Sequence, residues 1–177
     1  MPVQIGAKPD SGFEDPIGML ADCHRRIEHF LEILCVVADR AAGRALTSEE
    51  STAVKAALEY FRVGGRRHTA DEEESLFPRL QDALPRADVA EIGALESDHN
   101  EANQLHEAVE RLFRAWIEAG DLKPKDQAGL LAATQRLGQL YQQHIRVEEQ
   151  IVFPRAAKVL DKETIATIGR EFRARRK

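Results

Sequence analysis

One motif occurs twice in this 177-residue chain, and it constrains the fold more than any other feature. Residues 68–78 read HTADEEESLFP and residues 144–154 read HIRVEEQIVFP, so both follow the pattern His-x-x-x-Glu-Glu-x-x-x-Phe-Pro. A further histidine precedes each copy at nearly the same offset, at His24 and at His99. The chain is therefore predicted to contain two copies of one helix pair. Because the repeat keeps residue types that bind metals, it points to a metal site.

The spacing of the apolar residues predicts helices along most of the chain. Long helices are expected at about 15–43, 47–84, 88–119 and 124–160, followed by a short fifth helix that begins at Asp161. Pro78 and Pro154 are expected to kink or break the helices that contain them. No stretch alternates convincingly between apolar and polar residues, so no sheet is predicted. Four long helices with short connections predict an all-α fold, namely an antiparallel up-down four-helix bundle with a short extra C-terminal helix.

Composition and termini suggest three segments of a soluble protein. Residues 1–14 are predicted to be a mobile N-terminal arm, residues 15–160 the bundle, and residues 161–177 a C-terminal helix whose basic tail is solvated. The chain is 43% apolar and 31% charged, which is ordinary for a globular domain. No window approaches the ~18 apolar residues that a membrane span needs. The N-terminal segment also lacks the features of a signal peptide, so we expect a cytoplasmic protein that does not associate with membranes.

Net charge and cysteine spacing narrow the partners and the compartment. A formal net charge of −5 argues against nucleic acid as the main partner. Cys23 and Cys35 are roughly 18 Å apart along one predicted helix. That separation is too large for a disulfide, so both are expected to be reduced thiols. The sequence does not identify a protein partner.

The duplicated motif has a direct consequence for metal coordination. Residues four apart in a helix lie on one face, about 6 Å apart along the axis. Each His-x-x-x-Glu group can therefore direct an imidazole and a carboxylate to one point, a combination that suits iron, manganese or zinc. Six protein ligands are too many for one catalytic ion but suit two ions, with two imidazoles for each and both carboxylates shared. The predicted metal ligands are His24, His68, Glu72, His99, His144 and Glu148.

On these residues the chain resembles the hemerythrin-like family of cation-binding four-helix bundles, over roughly residues 16–160. The resemblance implies two non-haem iron ions, bridged by an oxo or hydroxo group, with the six residues above as ligands. Oxygen-carrying members have a fifth histidine where this chain has Asn103, and an aspartate bridge where it has Glu148. These departures place the chain nearer the bacterial members with four histidines and two glutamates. Each iron then has five donors and an open position, unless Glu28 or Asn103 fills one.

Several neighbours of the predicted ligands have two interpretations each. Glu73 and Glu149 are expected to form ion pairs with arginines or to hold an imidazole in place. His106 is expected to be a polar lining or surface residue rather than part of a second metal site. Tyr141 is expected to pack with its hydroxyl reaching solvent, or to form a hydrogen bond near the site. Gly64-Gly65 either leaves room for a small ligand or marks close packing or a kink.

Three functions are compatible with these residues. The open positions favour a redox-active di-iron protein that binds or reduces oxygen, peroxide or nitric oxide, in oxidative or nitrosative stress. An alternative is a binding protein for oxygen storage, iron storage or the repair of damaged iron centres. A third is a di-iron sensor, for which the sequence offers no attached output domain.

Overall fold

The computed structural model describes residues 10–85 and 90–177, and these residues are all-α with no strand. Helix α1 is Pro16–Ala41, α2 covers residues 48–83, α3 is Ala90–Ala119, α4 covers residues 124–159, and α5 is Lys162–Ala174. The predicted all-helical class is therefore confirmed. The predicted start of the third helix, at residue 88, lies outside the described residues.

Local capping interactions determine where these helices begin and end. The Asp15 carboxylate accepts a hydrogen bond from the Gly18 N–H at 3.0 Å and caps α1. At the start of α2, the Glu50 N–H donates to Thr47 Oγ1 at 3.1 Å, and the Thr47 N–H donates to Glu50 Oε2 at 2.9 Å. This pair is the predicted capping box. After α3, Gly120 adopts a φ of 82°, a conformation that glycine reaches without steric cost.

Both motif-bearing helices contain a widened, π-helical turn directly ahead of a proline. These turns are Glu72–Leu76 in α2 and Glu148–Val152 in α4, and α2 has another at Phe61–Gly65. Pro78 and Pro154 follow within continuing helix, so the predicted break at Pro78 does not occur. A proline lacks an N–H and its ring clashes with the carbonyl four residues earlier, and a wider preceding turn gives that ring more room.

A polar layer separates two apolar clusters, which we call the large cluster and the small cluster. Each of the four long helices contributes residues to both clusters, and predicted metal ligands lie between them. On α1 and α3 the chain runs from the small cluster to the large one, from Leu20 to Ile27 and from Leu95 to Ala102. On α2 and α4 it runs from the large cluster to the small one, from Phe61 to Leu76 and from Leu140 to Val152. This alternation favours the predicted antiparallel up-down order.

The C-terminal helix packs against α2 instead of ending in solvent. Asp71 is completely buried, and its two oxygens accept hydrogen bonds from Arg175 Nη1 at 2.9 Å and from Arg176 Nη2 at 2.6 Å. Arg175 also donates to Ser75 Oγ at 2.7 Å. The prediction of a solvated basic tail is therefore wrong for these two arginines, because a buried carboxylate requires charged partners. Helix α5 thereby holds the part of α2 that carries Glu72.

Residues 1–9 of the predicted arm lie outside the described residues, but its last residues contact the bundle. The Ser11 N–H donates to Asp22 Oδ2 at 2.6 Å, and the Arg173 guanidinium lies 4.9 Å from the centre of the Phe13 ring. Cys23 and Cys35 are both free thiols, which confirms the prediction made from their spacing. Among the helices of the described residues, none combines the length and the apolar character that crossing a membrane requires.

Candidate metal centre

Six buried side chains meet in the polar layer, and they are the six residues that the repeat predicts. Each of them is at most 6% exposed. Their nitrogen and oxygen atoms form two groups, and the ligand atoms within each group lie within 4.8 Å of one another. One group contains His24 and His68, the other contains His99 and His144, and both include Glu72 and Glu148. The structure therefore divides the residues as the repeat predicted.

The Glu72 carboxylate presents one oxygen to each group. Its Oε1 lies 3.2 Å from His68 Nε2, and its Oε2 lies 3.3 Å from His99 Nε2. One carboxylate that spans both positions in this way can bridge two ions.

The Glu148 carboxylate is placed equivalently from the opposite copy of the motif. Its Oε2 lies 3.0 Å from His24 Nε2, and its Oε1 lies 3.4 Å from His144 Nε2. The two glutamates thus offer each position two carboxylate oxygens beside its two imidazoles, which makes four protein donors.

The orientation of these atoms fits metal ions better than hydrogen bonds. His24 Nε2 and all four oxygens of Glu72 and Glu148 are buried, yet they have no hydrogen-bond partner. Buried polar atoms are normally paired, because leaving one unpaired costs roughly 1–3 kcal/mol. Here these five atoms converge on common points instead of pairing, whereas His99 Nε2 lies 3.1 Å from His144 Nε2. Imidazole nitrogens with carboxylate oxygens are a donor set that iron, manganese and zinc accept.

Burial and mutual charge perturb the ionisation of the two bridging carboxylates. Burial raises the pKa of Glu72 well above its usual value, and the nearby charge of Glu148 raises that pKa further. Burial also raises the pKa of Glu148, but the imidazoles of His144 and His24 outweigh it and hold this pKa well below its usual value. Bound cations would stabilise both carboxylates in their ionised, ligating form.

Carboxylates of the opposite copy hold two of the histidines. Glu149 Oε1 lies 2.9 Å from His24 Nδ1 and also pairs with Arg25, and Glu73 Oε1 lies 2.8 Å from His99 Nδ1. Both glutamates therefore fix an imidazole, one of the two roles predicted for them. Such contacts orient the ring and leave Nε2 free to face a metal.

The other two histidines differ from each other. His144 Nδ1 lies 3.3 Å from Asp98 Oδ2, whereas His68 Nδ1 is buried without a hydrogen-bond partner. Sequence reasoning did not assign a role to Asp98. Its position directly before His99 was the available signal, because His99 and His144 belong to the same group.

Neither of the two additional ligand candidates belongs to these groups. Glu28 has a side chain that is 56% exposed, and its Oε2 lies 3.3 Å from Arg25 Nε. Asn103 is exposed and lines a cavity beside His99. The structure therefore brings together the six predicted ligands and places Glu28 and Asn103 outside them.

A histidine–tyrosine pair lies next to the centre. His106 Nε2 is 3.0 Å from Tyr141 Oη, so the tyrosine hydroxyl takes the second of its two predicted roles, a hydrogen bond near the site. His106 stacks on Phe61 at a centroid distance of 4.3 Å and lines the same cavity as Asn103. Gly65 also lines this cavity, in agreement with the hypothesis that it leaves room for a small ligand.

Comparison with known proteins identifies the domain. The family model described as Hemerythrin HHE cation binding domain matches residues 15–156, which is most of the chain and includes all six clustered residues. The chain is also similar to a Haemophilus influenzae protein that carries the name "Uncharacterized protein". The two are 28% identical over 164 residues, which is 93% of this chain and 91% of that protein.

Proposed function

Because this chain belongs to the hemerythrin HHE cation-binding family, we propose that it is a non-haem di-iron protein that binds or reduces small oxidants. The proposed substrates are oxygen, peroxide and nitric oxide, and the proposed setting is oxidative or nitrosative stress in the cytoplasm. The proposed ligands are His24, His68, Glu72, His99, His144 and Glu148. Membership of the family supports metal binding, and the clustered imidazoles and carboxylates are compatible with iron, the metal that the resemblance implies.

One observation carries the proposal beyond metal storage. Each position has four protein donors, whereas iron in proteins commonly accepts more. The side chain of Glu28 is 56% exposed and Asn103 is exposed, and no further His, Cys, Asp or Glu of the described residues joins either group. Two non-haem irons with vacant coordination positions supply redox chemistry toward small oxidants.

The chain's own residues would direct this chemistry. Glu73 and Glu149 orient His99 and His24 through their Nδ1 atoms, so that Nε2 faces the centre. The large and small apolar clusters exclude water from both ends of the polar layer. A dry surrounding strengthens the interaction of the carboxylates with bound cations.

An optical titration of the reduced, iron-loaded protein tests the proposal. Oxygen, hydrogen peroxide and nitric oxide are added separately without air. We expect rapid return to the oxidised spectrum with oxygen or peroxide, and up to two nitric oxide molecules bound per centre. A long-lived oxygen complex would instead indicate reversible carriage, and an unchanged spectrum with all three oxidants would contradict the proposal.

Two variants make this test specific for the coordination. Asn103→His should slow oxidation by oxygen, because an imidazole at this position can fill a vacant site near His99. Glu28→Ala is the matched control, since residues 28 and 103 each follow a ligand histidine by four positions. It should leave the oxidation rate unchanged, and a large change would mean that Glu28 is a ligand.

A further inference from the structure

Two grooves that the repeat relates flank the metal centre. The groove between α2 and α3 encloses a cavity of about 350 Å³, which we call the α2–α3 cavity. The groove between α1 and α4 has a volume of about 500 Å³. The repeat matches their linings residue by residue, for example Asn103 with Glu28 at an offset of 75 and Gly65 with Tyr141 at an offset of 76. The two grooves can therefore be compared position by position.

Only one of these two grooves reaches a predicted ligand among the described residues. The lining of the α2–α3 cavity includes His99, which is 6% exposed. The lining of the α1–α4 groove contains no predicted ligand, and His24 is 0% exposed. Access from outside therefore lies on the side of His99 and His144.

The substitution of glycine for tyrosine explains this difference. Tyr141 lies within α4, away from its ends, and its side chain packs against the large cluster. The equivalent residue of α2 is Gly65, which has no side chain to occupy the same space. A Cβ atom at Gly65 would meet Phe61 Cδ1 at 3.4 Å, an ordinary contact, so close packing does not demand glycine there. The glycine instead opens the cavity toward His99.

The inner wall of the α2–α3 cavity is polar but uncharged. His106, which replaces the Leu31 of the other copy, lies 3.0 Å from Tyr141 Oη. Burial lowers the pKa of His106 to about 4, and burial also raises the pKa of Tyr141, so both are neutral near pH 7. A hydroxyl has one donor and two acceptor sites. Tyr141 Oη therefore keeps hydrogen-bonding capacity after its contact with His106.

Several charged groups at the rim of the cavity are already paired. Arg62 is bonded to Glu59, Glu110 to Arg114, and Glu73 to His99. Arg66 and Glu107 also line the cavity, with opposite charges. A charged ligand would have to compete with the pairs at the rim, and it would find no charged group on the inner wall formed by His106 and Tyr141. A neutral ligand that forms hydrogen bonds would not have to compete.

We propose that the α2–α3 cavity is a binding site for a small uncharged molecule with an O–H group, of the hydroperoxide class. It would lie beside His99 and bond to the His106–Tyr141 pair. The cavity volume is in the range of small-molecule sites and exceeds what a diatomic ligand needs. This assignment rests on the proposed function, because it names the substrate class of that centre and the side from which the substrate enters.

A binding titration on redox-silent protein tests this site separately from the reactivity. The full chain is loaded with zinc, its metal content is measured, and tert-butanol is added as an unreactive analogue of an alkyl hydroperoxide. Amide chemical shifts are followed by NMR. We expect saturable shifts at Gly65 and Ala102, which line the cavity, and none at Gly138, which lines the other groove.

Matched variants distinguish binding in the cavity from binding elsewhere. Gly65→Leu should fill the cavity and raise the dissociation constant at least tenfold, whereas Gly138→Leu should not change it. A Cβ at Gly138 meets no atom within 4 Å, so this control is tolerated. Asn103→Leu, at an exposed position, serves as a second filling variant if Gly65→Leu fails to fold. Tyr141→Phe removes one hydrogen bond and should weaken binding roughly fivefold.

Defined outcomes would overturn this assignment. They are the absence of binding, equal binding by folded Gly65→Leu protein, shifts that map to the α1–α4 groove, or binding of azide ion in the cavity in place of tert-butanol. Failure of the proposed function has a different signature. Tert-butanol would then bind as expected, while the iron-loaded protein would not react with peroxide.

Discussion

The two copies of the motif build equivalent halves of one metal centre, yet their surroundings differ. Glu72 and Glu148 make matching contacts with imidazoles at 3.0–3.4 Å. Outside this layer the copies diverge. Gly65 corresponds to Tyr141, Asp71 to Val147, and Leu31 to His106. The comparison teaches that the two copies keep the residues that would bind metal. Access to the centre and the attachment of α5 depend on residues that differ between the copies.

The divergence extends to the residues that hold the histidines. Asp98 contacts His144 Nδ1, and the residue at the equivalent place before His24 is Cys23. His68 Nδ1 accordingly lacks a hydrogen-bond partner. One of the four imidazoles is thus held less firmly than the other three.

Removing either bridging carboxylate is the strongest test of the symmetry. Glu72→Ala and Glu148→Ala should each reduce iron from about two ions per chain to less than one, because each carboxylate faces both positions. Elemental analysis of the purified proteins measures this loss. Glu28→Ala is the control and should retain both ions. If one bridge variant kept a fully occupied position, the shared-carboxylate arrangement would be wrong.

Metal removal should destabilise the polar layer more than any part of the apolar clusters. A ligand at ~1000 times its dissociation constant stabilises the folded state by about 4 kcal/mol. For a chain of this size, that corresponds to a decrease in Tm on the order of 10 °C after removal of the metal. Calorimetry of apo and iron-loaded protein checks this value. Equal melting temperatures at saturating iron would mean that the folded protein does not bind iron in preference to the unfolded chain, and would contradict a buried metal centre.

Exchanging Asp71 for its counterpart tests the attachment of α5. Asp71→Val introduces the residue type found at the equivalent position of the second copy, Val147. It leaves Arg175 and Arg176 without their buried partner. Breaking such a pair costs about 3–5 kcal/mol in a dry interior. Both arginines are about one-fifth exposed, so we expect about 2–3 kcal/mol and faster proteolysis after Arg175.

A surface ion pair provides the reference for this exchange. Glu101→Gln breaks the contact with Arg136, whose side chains are 41% and 49% exposed. It should change the free energy of unfolding much less than Asp71→Val does, because solvent screens an exposed pair. Urea denaturation measures both variants. An equal effect of the two substitutions would show that α5 adds nothing to the stability of α2.

Exchanging His106 for leucine, as at position 31, should change the stability by an amount that depends on pH. Burial lowers the pKa of His106 in the folded protein to about 4, below the ordinary value of 6.5, so the unfolded chain binds more protons between these values. This residue therefore destabilises the folded protein as the pH falls from 6.5 to 4. The full shift would lower the free energy of unfolding by about 3 kcal/mol at pH 4. We expect a smaller loss, because the side chain of His106 is partly exposed.

Comparison of two pH profiles isolates this contribution. Denaturation of the original protein and of His106→Leu is measured between pH 7 and pH 4. The ligand histidines contribute to both profiles, so the difference reports His106 alone. The original protein should lose more stability toward low pH than the variant. Parallel profiles would mean that His106 titrates normally and is not buried beside Tyr141.

The sequence was sufficient for the helices and for the six clustered residues. The spacing of apolar residues located the helices. The spacing of four residues placed His68 with Glu72, and His144 with Glu148, on one helix face. The repeat then indicated two imidazoles for each position and two shared carboxylates, whereas the pairing of His24 with His68 and of His99 with His144 came from the structure. These inferences succeeded because they depend on local geometry and on a signal that the chain contains twice.

Interactions between distant residues were not predictable in this way. Asp71 and Arg175 are 104 positions apart, and nothing in the local pattern links them. The Arg-rich tail therefore resembled a solvated helix end. The widened turns before Pro78 and Pro154 were also not predicted. A helix can accommodate a proline by a kink or by a π-helical turn, and the sequence pattern is the same for both. Tyr141 bonds to His106 on another helix, which only the packing of α3 against α4 reveals.

Anomalous diffraction at the iron absorption edge, from crystals of the iron-loaded protein, tests the central claim most directly. The account predicts two iron peaks about 3.5 Å apart, as in other two-metal sites. One should lie between His24 and His68 and the other between His99 and His144, with Glu72 and Glu148 reaching both. A single peak, or a peak outside the polar layer, would contradict it.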